Sequence, residues 1–239
     1  MSGGAGIGPG GGAAFRAVSY NIHSGIGRDG LLDIGRIVSV LRETEADLIG
    51  LQEVGDWREG LSPARQFHDI MRRLDLEGVA GPTLSPGGDY GNALFTRWPI
   101  VERRAIDLSH GRREPRAAID ADVLVEGRPL RVVVTHLGLG PGERTAQVRR
   151  LAAATAGHPG PLLMMGDFNV VGWEDRKLRR IGAPADLPRP ASFPSWRPVL
   201  ALDRIWATHA PARDLRAHRT TLSRRASDHL PVVAEIPFP

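Results

Sequence analysis

The stretch Pro161-Leu162-Leu163-Met164-Met165-Gly166-Asp167-Phe168-Asn169-Val170 decides the fold. Its four consecutive apolar residues, Leu162 to Met165, have the length and composition of a strand buried on both faces, as central strands of α/β sheets are. The run stops abruptly in Gly-Asp-Phe-Asn. A carboxylate at the mouth of a buried strand is costly unless a cation or several donors meet it. Strand ends in such sheets are also where ligands bind. A turn or a helix N-cap would explain a lone Gly-Asp. Here four other strands end in the same way, so Asp167 reads as one of a set.

Upstream, residues 15–20 alternate like a strand and run into Asn21-Ile22-His23-Ser24. Asp33 caps an expected helix carrying Ile34, Ile37, Val38 and Leu41 at helical spacing. Residues 47–54 form the next strand, with Glu53 at its end, and a helix over 62–74 places Pro63 in its first turn. Strands are expected over 92–98, near 100–107 and over 116–125, then a tight turn at Gly127-Arg128-Pro129. The strand 130–136 delivers His136, and a helix over 142–156 leads into the Asp167 strand. A short helix near 173–181, a Pro-rich loop over 184–198, a strand over 202–207 bearing Asp203, and a last strand over 230–236 complete the chain. Ser227-Asp228-His229 directly precedes that last strand. Helices alternating with hairpin pairs predict a mixed-sheet α/β sandwich and not a purely parallel fold.

The 239 residues suffice for a full core and suit one domain over 14–239, preceded by a Gly-rich tail over 1–13. There is no cysteine, which excludes disulfides, thiolate metal sites and a Cys nucleophile. No apolar run reaches membrane-spanning length, and the first residues lack the basic and apolar regions of a signal peptide, so a cytoplasmic location is expected. The net charge is +4, yet the pI is about 10.4, because Lys177 is the only lysine among many arginines. Arginine favours bidentate phosphate contacts. The same bias follows from a GC-rich genome, and an excess of four charges does not by itself argue for nucleic acid.

The strand ends present Asn21, Glu53, His136, Asp167 with Asn169, and Asp228 with His229, while Asp203 opens its own strand. Converging carboxylates repel one another, and a bound divalent cation removes the conflict. Carboxylate and amide oxygens without thiolate are hard ligands, suited to Mg²⁺ or Mn²⁺. A carboxylate able to take a proton from water, with histidines to neutralise phosphoryl oxygens, suits phosphoester hydrolysis. Taken singly, Asn21 could be an Asx turn, His136 a satisfied strand-end histidine and Asp228-His229 a turn and cap. Gly25-Ile26-Gly27-Arg28-Asp29-Gly30 fits the dinucleotide fingerprint, but four residues separate it from its strand where an immediate turn is required.

Ser19-Tyr20-Asn21-Ile22-His23, Leu51-Gln52-Glu53-Val54, Gly91 to Arg97, Thr135-His136-Leu137, Gly166-Asp167-Phe168-Asn169, Leu202-Asp203-Arg204-Ile205 and Ser227 to Val232 resemble, in order, the motifs of the endonuclease/exonuclease/phosphatase superfamily. The resemblance implies a four-layer α/β sandwich, two packed mixed β-sheets flanked by helices, with the site at one edge. It implies Glu53 as principal metal ligand with Asn21 and Asp228 nearby, and Asp167 with Asn169 orienting or activating water. His136, and His229 supported by Asp203, would contact the scissile phosphate, as would Arg116, with His23 and Asn92 as further phosphate contacts. His23 departs from the acidic residue that some nuclease members carry there, which weakens the case for a second metal ligand. Long nucleic-acid-gripping insertions are not evident.

The resulting expectation is a Mg²⁺- or Mn²⁺-dependent phosphodiesterase, monomeric, acting on a lipid head-group or small diester. Trp173, Phe193 and Trp196 lie in loops suited to an apolar rim. A nuclease acting on DNA or RNA is the alternative reading. A binding module that has lost catalysis is a further one, against which the complete residue set argues. Nucleic acid or a peripheral membrane surface are the partner classes left open. A calcineurin-like phosphoesterase would need Gly-Asn-His-Asp/Glu, which this chain lacks.

Overall fold

The computed structural model describes residues 14–55, 63–81 and 91–239. The expected tail over 1–13 lies outside the described residues. Strands β1 (Ala14–Asn21), β2 (Leu48–Val54), β3 (Glu77–Ala80), β4 (Gly91–Thr96), β10 (Arg213–Ala217) and β11 (Val232–Pro237) form one sheet in the order β10-β11-β1-β2-β4-β3. Strands β5 (Ile100–Asp107), β6 (Ala117–Val125), β7 (Arg128–His136), β8 (Leu162–Asp167) and β9 (Asp203–Ala207) form a second sheet in that order. Only β1/β2 and β7/β8 pair in parallel. Each of these pairs is joined by a helical crossover, α1 (Ile34–Thr44) and α3 (Pro141–Thr155), as parallel pairing requires.

Three apolar clusters define four layers. One, with Leu94, Val132, Met165 and Ile205, fills the space between the sheets. A second joins Ile37, Val38 and Leu41 of α1, and Ile70 of α2 (Pro63–Leu74), to the outer face of the first sheet. A third seats Val148 and Leu151 of α3, and Leu178 and Ile181 of the 3₁₀ segment Gly172–Ile181, on the outer face of the second. The sheets pack closely where β2 meets β8. A Cβ on Gly50 would stand 2.5 Å from Met165 Sδ. On β8 itself, a Cβ on Gly166 would stand 2.0 Å from the carbonyl oxygen of Thr135 on β7. Every residue of β8 is buried, as its apolar run predicts.

Most expected elements form within a residue or two of their predicted bounds. The differences lie at the edges. The segment near 173–181 is 3₁₀ and not α-helical, and β3 and β10 are strands that the sequence pattern does not announce. Both are short edge strands whose pairing comes from a neighbour rather than from their own periodicity. No described helix is long and apolar enough to cross a membrane.

Asp120, buried on β6, cross-links three strands. It accepts hydrogen bonds from Arg104 of β5 (Nε, 3.1 Å) and Arg131 of β7 (Nη2, 2.7 Å). Burial alone would raise its pKa. The two guanidiniums outweigh it and hold the carboxyl below the ordinary aspartate range. A depressed native pKa contributes stability above the unfolded pKa, and that contribution is lost as pH falls through the native value. Asp120→Asn should therefore cost about 3 kcal/mol at neutral pH, at the low end for a broken buried pair because both arginines reach solvent. In urea titrations the gap between wild type and variant should close below about pH 4. A gap that stays constant from pH 7 to pH 3 would refute the assignment.

Candidate active site

The site forms at one edge of the sandwich, where ends of strands from both sheets meet. Asn21 terminates β1 and is 1% exposed. Its Oδ1 accepts from the backbone N of His23 at 3.0 Å, the local turn that Asn favours. Its Nδ2 donates to Glu53 Oε1 at 3.0 Å and to Asp167 Oδ2 at 3.2 Å. One amide thus ties β1 and β2 of the first sheet to β8 of the second. Glu53 owes its direction to an irregular strand end. It sits at φ 56°, and the β2–β4 register shifts between Leu51 and Val54. Bulges of this kind re-aim a side chain next to active sites, and a non-glycine residue in this region costs about 1–3 kcal/mol. Gln66 holds the neighbouring turns, accepting from Gly55 N at 2.8 Å and donating to Ser24 O at 2.9 Å.

Asp167 is the focus. Its Oδ1 accepts from Asn169 N at 3.0 Å, and its Oδ2 lies 3.5 Å from His136 Nε2 and 3.8 Å from His229 Nε2. Asn169 sits at φ 51° and spends its own amide on the carbonyl of Leu137 at 2.9 Å, so it braces the loop after His136. His229 Nδ1 meets Asp203 Oδ2 at 2.9 Å. Ser192 Oγ donates to that same oxygen at 2.5 Å, and the Phe193 ring lies against the imidazole with centroids 4.9 Å apart.

The two histidines are pushed in opposite directions. Burial would lower the pKa of His229, but Asp203, then Asp167 and Asp228, outweigh it and raise the value well above the usual histidine range. Burial lowers that of His136, and the positive charges of Arg116 and His229 lower it further. Near neutral pH, His229 is an imidazolium and His136 a neutral ring. The Asp167 carboxyl is raised, first by burial and then by Asp203.

Among the described residues, the tightest group of potential metal ligands is Asp167, Asp203 and His229, with ligand atoms all within 4.8 Å of one another. That trio already contains its own cation. The imidazolium pairs with both carboxylates, and its Nδ1 is committed to Asp203. Glu53 meets Asp167 through the Asn21 amide, which donates to Glu53 Oε1 and to the same Asp167 Oδ2 that faces the two imidazoles. The oxygens of these two carboxylates are hard ligands that suit a hard divalent cation. As the Asn21 amide stands, its nitrogen and not its oxygen faces the carboxylates. It aligns Glu53 and Asp167 and would have to turn over to act as a ligand.

The remaining candidates lie around this core. Asp228 is half-buried; its Oδ1 lies 3.3 Å from Ser227 Oγ, which also donates to Asn21 O at 2.8 Å. Arg116 acts on His136 electrostatically, pairs with Glu114 at 2.6 Å, and keeps a buried Nε without a partner. Asn92 spends its nitrogen on Ala117 O at 2.8 Å, leaving a buried, unpartnered Oδ1; an acceptor does not bind a phosphate oxygen. The His23 ring meets the carbonyl of Ile26 at 3.2 Å, inside its own loop. Sequence reasoning missed Ser192 and Gln66. Neither carries a local signal, because each acts on a residue that only the fold brings near. Ser227 stood inside a quoted motif without an assigned role.

Asp203→Asn should remove the principal positive bias on His229. Imidazole NMR titration should then show the raised wild-type pKa falling toward the ordinary histidine range, since burial persists while Asp167 and Asp228 remain. An unchanged His229 titration would show that Asp203 does not set its charge.

The sequence model described as the endonuclease/exonuclease/phosphatase family matches residues 18–229. The chain is 29% identical over 245 aligned positions to the uncharacterized protein YbhP of Escherichia coli, covering 93% of this chain and 96% of that one. It is similar in structure to an endonuclease/exonuclease/phosphatase from Beutenbergia cavernae (TM-score 0.74, 23% identity, 94% of this chain and 72% of that one). It is also similar to the Bacteroides thetaiotaomicron mannosyl-6-phosphatase Bt3783 (TM-score 0.68, 20% identity, 94% and 100% covered). D. rerio TDP2 complexed with single strand DNA product shares the fold as well (TM-score 0.68, 19% identity, 93% and 98% covered).

Proposed function

The chain belongs to the endonuclease/exonuclease/phosphatase family, and from that premise we propose that it is a Mg²⁺- or Mn²⁺-dependent phosphodiesterase whose substrate carries an apolar body, in the manner of a lipid head-group ester or a small diester. Members of the family are hydrolases of phosphoester bonds and generally depend on a divalent metal ion. The observation that carries the reading is that Asn21, His136 and His229, from both sheets, meet the buried Asp167 carboxylate, with Glu53 tied in through Asn21 and Asp203 through His229.

Glu53 would be the main anchor for the cation, with Asp167, joined to it through the Asn21 amide, as its partner and Asp228 as a further candidate ligand. When bound, the cation would polarise the phosphoryl oxygen and lower the pKa of an adjacent water. Asp167, oriented by the Asn169 backbone and the Asn21 amide, accepts a proton from the attacking water. Its raised pKa brings it toward the range of a working base. The His229 imidazolium, held by Asp203, donates to the charge that develops on the phosphoryl oxygens, and neutral His136 donates a second hydrogen bond. Arg116 supplies a further positive charge beside His136.

The preference for an apolar body rests on the loops that leave these strand ends. Leu139 lies just after His136, and Trp196 lies close in sequence to Phe193, whose ring packs on His229; they are 73% and 52% exposed. An indole and a leucine held in water near a hydrolytic edge suit an amphiphilic substrate. Trp173, the third aromatic expected at that rim, instead lines a cavity on the outer face of the second sheet. One observation favours nucleic acid instead: the Arg28 guanidinium lies 5.9 Å over the Trp196 ring, an arrangement that also stacks bases.

Hydrolysis of bis-p-nitrophenyl phosphate should require Mg²⁺ or Mn²⁺ and stop in EDTA. Glu53→Gln should lower turnover at saturating substrate by more than about 100-fold, mostly regained at high metal, and His229→Ala by about 10² to 10⁴-fold with no such rescue. Undiminished turnover in EDTA would overturn the reading. In parallel assays, phospholipid vesicles should be cleaved in preference to plasmid DNA. Plasmid nicking at low enzyme with lipids untouched would move the assignment to the nuclease reading.

A further inference from the structure

On the outer face of the five-stranded sheet, beneath the Gly172–Ile181 segment and the loop that follows it, lies a cavity of about 390 Å³ that the proposed reaction does not use. Its wall holds four arginines, Arg176, Arg179, Arg189 and Arg204, against one acid, Asp175. That acid is already engaged on both oxygens. Oδ2 accepts from Arg189 Nη1 at 2.7 Å, and Oδ1 from Arg204 Nη2 at 2.9 Å. Among the described residues, Arg176 and Arg179 have no carboxylate partner. The cavity therefore carries a surplus of three positive charges.

Solvated arginines on a helix face are ordinary, and exposed Arg176 and Arg179 alone would be read that way. Two features set this place apart. The Arg204 side chain is 2% exposed, yet it forms part of the wall, fixed by the carbonyls of Ala201 and Asp203. The floor is apolar, made by buried Leu178 and Ala183 with Leu187 packed on the same cluster. At the rim stands exposed Trp173, with Lys177 Nζ 5.5 Å from the centre of its ring. Charge, an apolar floor and a flat aromatic face thus meet in one open-mouthed pocket.

We infer that this cavity is a second ligand site, for a small organic phosphate that carries a planar ring, the chemistry of a nucleoside monophosphate. Guanidinium groups pair with phosphate in bidentate fashion. The Trp173 face gives the ring a stacking surface. The volume lies at the low end for small-molecule sites, which suits a single small ligand and not a polymer segment. The site is separate from the hydrolytic edge. Asp203 holds His229, whereas Arg204, the next residue, emerges on the opposite face of β9 with Trp206, as strand alternation dictates.

Calorimetric titration with adenosine monophosphate in EDTA, where metal-dependent hydrolysis is silent, tests this. Wild type should bind one equivalent, and inorganic phosphate should bind at least tenfold more weakly. The double variant Arg176→Ala/Arg179→Ala should lose at least tenfold in affinity while keeping wild-type hydrolysis of bis-p-nitrophenyl phosphate, which also reports its fold. Ala185→Trp, which would fill the cavity, should abolish binding. His229→Ala, defective in the proposed reaction, should bind as wild type does. Absence of saturable binding to wild type, equal affinity for inorganic phosphate, or binding that survives in the double variant but is lost in His229→Ala would each overturn the assignment.

Discussion

A carboxylate sealed in the seam between two sheets is the constraint on which the site depends. Asp167 is 1% exposed at the end of β8, where bulk water does not solvate its charge. Protein groups must do so, and they come from both sheets: the Asn21 amide from β1, the Asn169 backbone from the loop after β8, and two imidazoles. The sheets can bring them this close only because their packing is tight near β8. Gly50 leaves no room for a side chain opposite Met165, and Gly166 none against β7. The small residues beside the acid and the acid itself belong to one device.

Within that seam, charge is divided between neighbours. Asp203 and Asp167 make His229 a cation, and burial, with the charges of Arg116 and that cation, keeps His136 neutral. The imidazolium neutralises one side of the cluster from within. Glu53, tied to Asp167 through the Asn21 amide, brings a further carboxylate to the seam. That pair of hard-oxygen groups is the place that suits a cation, whereas the most compact group of acidic and histidine side chains, Asp167 with Asp203 and His229, already contains its own positive charge.

The edges of the molecule obey a different logic. The loops around the site expose Leu139 and Trp196, whereas the outer face of the second sheet gathers arginines and Trp173 over an apolar floor. A fold shared by a sugar phosphatase and by a protein crystallised with a DNA product does not choose a substrate.

Much of this was legible in the residues. The apolar run 162–165 read as a strand buried on both faces, from its length, its composition and its abrupt stop at Gly-Asp. Alternating helices and hairpin pairs required mixed sheets, and acids, amides and histidines at strand ends required a shared purpose. Short edge strands such as Glu77–Ala80 and Arg213–Ala217 were not legible, since their pairing lies in their neighbours. Nor were the support of Asp203 by Ser192, the opposite charges of two histidines, or the orientation of the Asn21 amide. Local sequence determines which groups a strand delivers to its end, because periodicity and turn chemistry act within a few residues. Which of those groups touch, and what charge each then carries, was decided only by the tertiary structure, because burial and Coulomb interaction depend on distance in space and not on separation along the chain.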